Sequence, residues 1–260
     1  VWQVIACRGK GGVITEGCGI EDLIRCFLHD SFDSKFVYII SPWITNFEFS
    51  KPFVHYPWVS SFRVLDVIRA LIDKVGEVKV LTRCFDDAVR FDLLDLVSKV
   101  VNQSGNVDEY VRGFIKSQLQ DLLDGINAVL ALRDALHDFL LFDLGVNELR
   151  DGLRRRLHTK LYINDKYALL GSANFTNSGV VDSFGWGNWE CLMLIRRDRD
   201  ENTYSGLLHV AEDYLKSARG FDDCRKRFVS ILRRFPNLLP WPISDVEDVV
   251  DVLEKLIEEL

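Results

Sequence analysis

The stretch Leu157–Gly179, LHTKLYINDKYALLGSANFTNSG, decides how the chain is read. Two mostly apolar runs flank Asn164-Asp165, a pair whose side chains favour a tight turn. A β-hairpin is therefore expected, with one strand over Leu157–Asn164 and its return from Lys166 to Asn174. Residues i and i+2 of a strand point to the same side, so His158 and Lys160 share a face. On the returning strand Ser172 and Asn174 share one as well. The expected product is a single patch holding an imidazole, an ammonium, a hydroxyl and a carboxamide. The His-x-Lys pattern occurs once in the chain.

Those four groups suit a phosphate diester. Lys160 and Asn174 can neutralise or hydrogen-bond the non-bridging oxygens as charge shifts in the transition state. A neutral imidazole can attack phosphorus and hold it covalently. What the patch lacks is a second group to protonate the leaving alcohol, because one His158 cannot serve as nucleophile and acid in the same step.

Upstream of the hairpin, the segments alternate in type. Val1–Cys7 reads as a strand, and Gly19–Phe32 carries apolar residues at helical spacing. Lys35–Ile44 is a short β-rich run interrupted by Pro42, Phe62–Gly76 is an amphipathic helix closed by glycine, and Glu77–Arg83 is the next strand. This β-α-β order predicts an α/β fold. From 85 to 149 the periodicity is helical with no convincing strand, which predicts a helical insertion. After the hairpin, Gly187–Arg197 reads as another strand. The segment 200–260 reads as C-terminal helices, the last opening with Ser244 and Glu247 in capping-box spacing. All 260 residues are expected to form one domain with that insertion inside it.

With these elements in place, the motif resembles the HKD signature of the phospholipase D superfamily. HTKLYIND followed by GSANFT matches His-x-Lys-x4-Asp and a downstream Gly-Ser-x-Asn, and NWECLMLI resembles the strand that follows, with Glu190 as its glutamate. The similarity covers roughly residues 20–84 and 150–197. It implies an α-β-α sandwich and a homodimer, since family members with one motif pair two chains to build one site. One His158 would then form a phosphohistidine, and the partner's His158 would protonate the leaving oxygen and later activate water. Lys160 and Asn174 would hold the phosphate with help from Ser172. Glu190 would accept a hydrogen bond from the far nitrogen of His158 and fix its tautomer. The resemblance implies neither metal nor cofactor. One departure concerns Asp165: five residues, Lys166–Leu170, separate it from the Gly of Gly-Ser where six are usual, so Asp165 falls in the turn itself.

Composition sets looser bounds. The net charge of −7 argues against indiscriminate binding to nucleic acid, but charge is uneven. Seven Lys/Arg against two Asp lie between Lys216 and Arg234, and seven Asp/Glu against one Lys between Ser244 and Leu260. No apolar run reaches the roughly eighteen residues of a membrane span, and Val1–Gly12 lack the layout of a secretory leader. The six cysteines fall at scattered positions without Cys-x-x-Cys pairs, so no disulfide framework is expected and a reducing, cytoplasmic setting fits. Cys18, Cys26 and His29 are only loosely grouped and are read as packed side chains rather than a zinc site, and Arg8–Gly12 lacks P-loop spacing. Trp186 and Trp189 lie close enough to Glu190 in sequence to wall a pocket or stack on a base. The leading expectation is a phosphodiesterase acting on nucleic acid, DNA or RNA, without a membrane partner. A lipid phosphodiesterase using the apolar stretch Leu122–Phe142, and a phosphate-binding scaffold without turnover, are the competing readings.

Overall fold

The computed structural model describes residues 3–9, 12–13, 19–55, 57–84, 97, 108–144, 157–181, 190–233 and 245–259. Two compact units divide the chain: Val1–Arg83 with Leu132–Arg219, and Cys84–Ala131 with Gly220–Leu260. The strands are β1 (Gln3–Gly9), β2 (Gly12–Val13), β3 (Phe36–Ile40), β4 (Glu48–His55), β5 (Val59–Arg63), β6 (Glu77–Arg83), β7 (Leu140–Asp143), β8 (Leu161–Asn164), β9 (Tyr167–Gly171) and β10 (Glu190–Arg196). The helices are α1 (Ile20–Ser31), α2 (Val64–Lys74), α3 (Glu109–Leu136), α4 (Asn177–Val180), α5 (Glu201–Ser217), α6 (Phe221–Leu232) and α7 (Val246–Glu259).

The first unit is built on an eight-stranded mixed sheet in the order β2-β1-β10-β9-β8-β3-β6-β7. β3, β6 and β7 run parallel, whereas β3–β8, β8–β9, β9–β10 and β10–β1 pair antiparallel. Alternation along the central strands assigns their two faces. Tyr38, Ile40, Leu161 and Ile163 cluster with Tyr204 and Ala211 of α5. Tyr162, between Leu161 and Ile163, points the other way and meets the ring of Phe27 from α1 at 6.2 Å. Helices therefore cover both faces of the sheet, and the core strands are apolar on both sides. α1 buries Leu23, Ile24, Phe27 and Leu28 and α2 buries Val64, Val67, Ile68 and Leu71, each on one helical face. β4 and β5 form a separate two-stranded hairpin that the sequence reading passed over.

Three expectations are corrected. The helical reading of 85–149 missed β7, which pairs in parallel with β6 at the sheet edge. Three apolar residues and an aspartate, too few to show a period of two, give no strand signal until a neighbouring strand supplies the hydrogen bonds. The strand expected from Leu157 begins only at Leu161; Leu157–Lys160 precede it, joined to the returning strand by the Gly171 N–H donating to the Lys160 carbonyl. Third, the absence of disulfides does not hold, because Cys84 and Cys224 are joined across a separation of 140 residues. No local spacing announces that bond; the fold alone brings the two thiols together.

In the second unit α3 buries Ile115, Leu119, Leu122 and Ile126 at helical spacing, α6 buries Phe228 and α7 buries Val249, Leu253 and Leu256. α7 is preceded by Asp245, whose backbone N–H donates to Asp248 Oδ2 at 2.9 Å. The cap thus starts one residue later than the Ser244–Glu247 pair suggested, and Ser244 itself lies outside the described residues.

Candidate functional site

The topology gathers the polar residues at one end of the sheet. β3 and β6 end there, and Trp43 follows β3 by three residues while Arg83 closes β6. β7 ends there at Asp143, the register partner of Arg83. His158 and Lys160 lead into β8 at that same end, Ser172 and Asn174 follow β9, and Glu190 opens β10. In a mixed sheet the carboxyl ends of parallel strands are where ligands commonly sit.

Leu157 anchors the motif. Its N–H donates to Asp143 Oδ2 at 2.7 Å, and its carbonyl accepts from Arg83 Nε at 2.5 Å. Two strand ends thereby hold the residue immediately before His158. His158 is exposed, whereas Lys160 is only 6% exposed. Although both residues precede β8, Lys160 Nζ lies 3.3 Å from His158 Nδ1 and donates to the His158 carbonyl at 2.9 Å.

This closeness sets the protonation states. The Lys160 charge, aided by slight burial and the Arg83 guanidinium, pulls the His158 pKa below its ordinary value of 6.5. The shift favours the neutral imidazole over the imidazolium. Burial also lowers the pKa of Lys160; Glu190 opposes that shift and Arg83 adds to it.

Ser172 and Glu190 form a second, linked piece. Ser172 Oγ donates to Glu190 Oε2 at 2.5 Å and accepts from the Cys191 N–H at 2.9 Å. Glu190 is 6% exposed. Among the described residues the hydrogen bond to Glu190 comes from Ser172, and none joins Glu190 to His158. Gly171 explains the preceding position: a Cβ there would lie 1.9 Å from the Cys191 carbonyl oxygen, and only glycine lets β9 and β10 close at this point. Asn174 is half-buried, and its Oδ1 is enclosed without a hydrogen-bond partner among the described residues. It lines a cleft of about 380 Å³ with Trp43, Thr45, Thr176, Asn177 and Ser178.

Asp165 stands apart. It occupies the β8–β9 turn at the opposite end of the hairpin, where Oδ2 accepts from the Lys35 N–H at 3.3 Å. Asn164 shapes that turn by accepting from the N–H groups of Lys166 and Tyr167, both at 3.0 Å. Asp165 is thus part of the turn and is not brought to His158.

Sequence reading missed Trp43, Arg83 and Asp143, which lie far from the motif in the chain and carry no spacing signal. Trp186 and Trp189 fall outside the described residues, as do Cys18, Lys10 and Gly11. Among the described residues no group of three side chains is arranged to hold a metal ion, and no helix is long and apolar enough to cross a membrane.

Among solved structures, the chain is similar to NucT from Helicobacter pylori, with a TM-score of 0.43 and 14% sequence identity, over 78% of this chain and 92% of that one. No family model matches the chain, and no curated protein sequence matches it.

Proposed function

We propose that the chain is a phosphodiesterase of the phospholipase D type that cleaves nucleic acid through a phosphohistidine, without a metal ion. The observation that carries this reading is the convergence of His158, Lys160, Ser172, Asn174 and Glu190, from three separate stretches of chain, on one end of the sheet. A neutral His158 nitrogen attacks phosphorus, and the P–O bond to the leaving alcohol breaks as a proton reaches that oxygen. The donor is the partner subunit's His158 in a homodimer, which acts from its imidazolium form while the nucleophile acts from the neutral one. The same imidazole then takes a proton from water, whose oxygen attacks phosphorus and displaces the first His158. Lys160 and the Asn174 amide bind the non-bridging oxygens throughout. Ser172 and Glu190 hold the chain beside them in register, and Asp165 supports the turn without touching substrate.

The test is cleavage of labelled single- and double-stranded DNA and RNA in excess EDTA, with His158→Asn alongside. Metal-free cutting that falls by about 10³-fold or more in the variant supports the mechanism. Cutting that needs an added divalent ion, or that survives in His158→Asn, refutes it.

A further inference from the structure

Trp43 stands beside the proposed phosphate site and is 43% exposed. Its position is fixed by the backbone around it. Buried Ser41 donates from Oγ to the Trp43 carbonyl at 2.8 Å and accepts from the Phe175 N–H at 3.0 Å, and the Thr45 N–H donates to the Phe175 carbonyl at 3.1 Å. These bonds tie Ser41–Thr45 to the segment that carries Asn174. On the other side, the Arg83 guanidinium lies 5.5 Å from the Trp43 ring centroid, while its Nε binds the Leu157 carbonyl. Trp43 thus bridges the anchor of His158 and the cleft that holds Asn174.

The lining of that cleft says what it takes. Apart from Trp43, its side chains are those of Thr45, Asn174, Thr176, Asn177 and Ser178, all uncharged donors and acceptors. A cleft for a second phosphate would present a cation. This one presents an aromatic ring and amide and hydroxyl groups, the set that stacks on a heterocycle and hydrogen-bonds its edge. Its volume of about 380 Å³ is at the lower end for small-ligand pockets.

We infer that this cleft is a nucleobase subsite, in which Trp43 stacks on the base next to the scissile phosphate and Asn174 Oδ1 accepts from that base or its sugar. A base held this way is unpaired, so the preferred substrate is single-stranded. The inference rests on the nucleic-acid reading above and narrows it.

The test is equilibrium binding to the full chain carrying His158→Asn, in EDTA. The probes are a short oligothymidylate, a deoxyribose-phosphate oligomer of equal length lacking bases, and a duplex. Stacking predicts that the base-bearing strand binds tighter than the abasic one by on the order of 5- to 150-fold. Adding Trp43→Ala should collapse that ratio towards unity, Trp43→Phe should retain most of it, and the duplex should bind more weakly than the single strand. Equal binding of base-bearing and abasic strands overturns the subsite, as does a ratio untouched by Trp43→Ala, and either leaves the phosphodiesterase reading intact. If no nucleic acid binds while a simple alkyl aryl phosphate diester is still cleaved by wild type, both the subsite and the nucleic-acid substrate fall and only the diester chemistry stands.

Discussion

Lys160 illustrates how much one residue can decide. It is buried, its ammonium donates to the His158 carbonyl, and its charge is the largest influence holding the His158 pKa below 6.5. Lys160→Met should therefore move the His158 titration upward towards that value, which histidine-selective NMR can follow. The sign for stability follows from linkage. The unfolded chain takes up the His158 proton before the folded one does, so this group's contribution to stability is lost as pH falls below 6.5 towards the folded value. That part of the acid sensitivity should shrink in Lys160→Met. In activity, the acidic limb of the rate profile should shift upward in the same variant, on top of an overall loss of phosphate binding. If the titration of His158 does not move, the electrostatic account of its neutrality fails. Asp165 should behave oppositely to these residues: Asp165→Asn keeps most cleavage and acts on the Lys35 contact at the turn.

At the scale of elements, two glycines set the geometry. A Cβ on Gly171 would lie 1.9 Å from the backbone oxygen of Cys191, and one on Gly179 would lie 2.3 Å from that of Asn174. Backbone atoms cannot step aside as a flexible side-chain end can. Gly171→Ala should therefore destabilise by roughly 3 kcal/mol or more, forcing apart the junction where Ser172 meets Glu190. Gly179→Ala should lose activity out of proportion to stability, since it displaces the backbone that carries the Asn174 amide. Thermal melts set beside turnover distinguish the two outcomes. The hairpin itself was legible in the sequence because Asn164 writes its own turn into the chain and Ala168 and Leu169 supply the apolar run. Its true starting point was not: Leu157–Lys160 are held by Arg83 and Asp143, and contacts to distant strand ends leave no periodic trace.

Two predictions belong to the whole molecule. If two copies share one site, mixing and re-equilibrating equal amounts of wild type and His158→Asn should leave about a quarter of the wild-type activity at the same total protein concentration, because mixed pairs are inactive; independent subunits would leave about half. The Cys84–Cys224 bond has both its cysteines in the second unit and joins positions 140 residues apart. Replacing both cysteines by alanine should lower stability by about 2–4 kcal/mol, measured by denaturant unfolding. An unchanged midpoint would mean that the packing of α3, α6 and α7 holds the unit without it.

The sequence by itself determined the helix faces, most central strands and the pairing of His158 with Lys160, because each depends on neighbours within a few residues. Periodicity and a two-residue spacing are local properties, and local properties survive in a string of letters. Only the tertiary structure decided that β7 is a strand, that Cys84 meets Cys224, that Ser172 meets Glu190, and that Trp43 and Arg83 flank the motif. Each of these joins residues far apart in the chain, through hydrogen bonds or packing that exist only once the sheet has assembled.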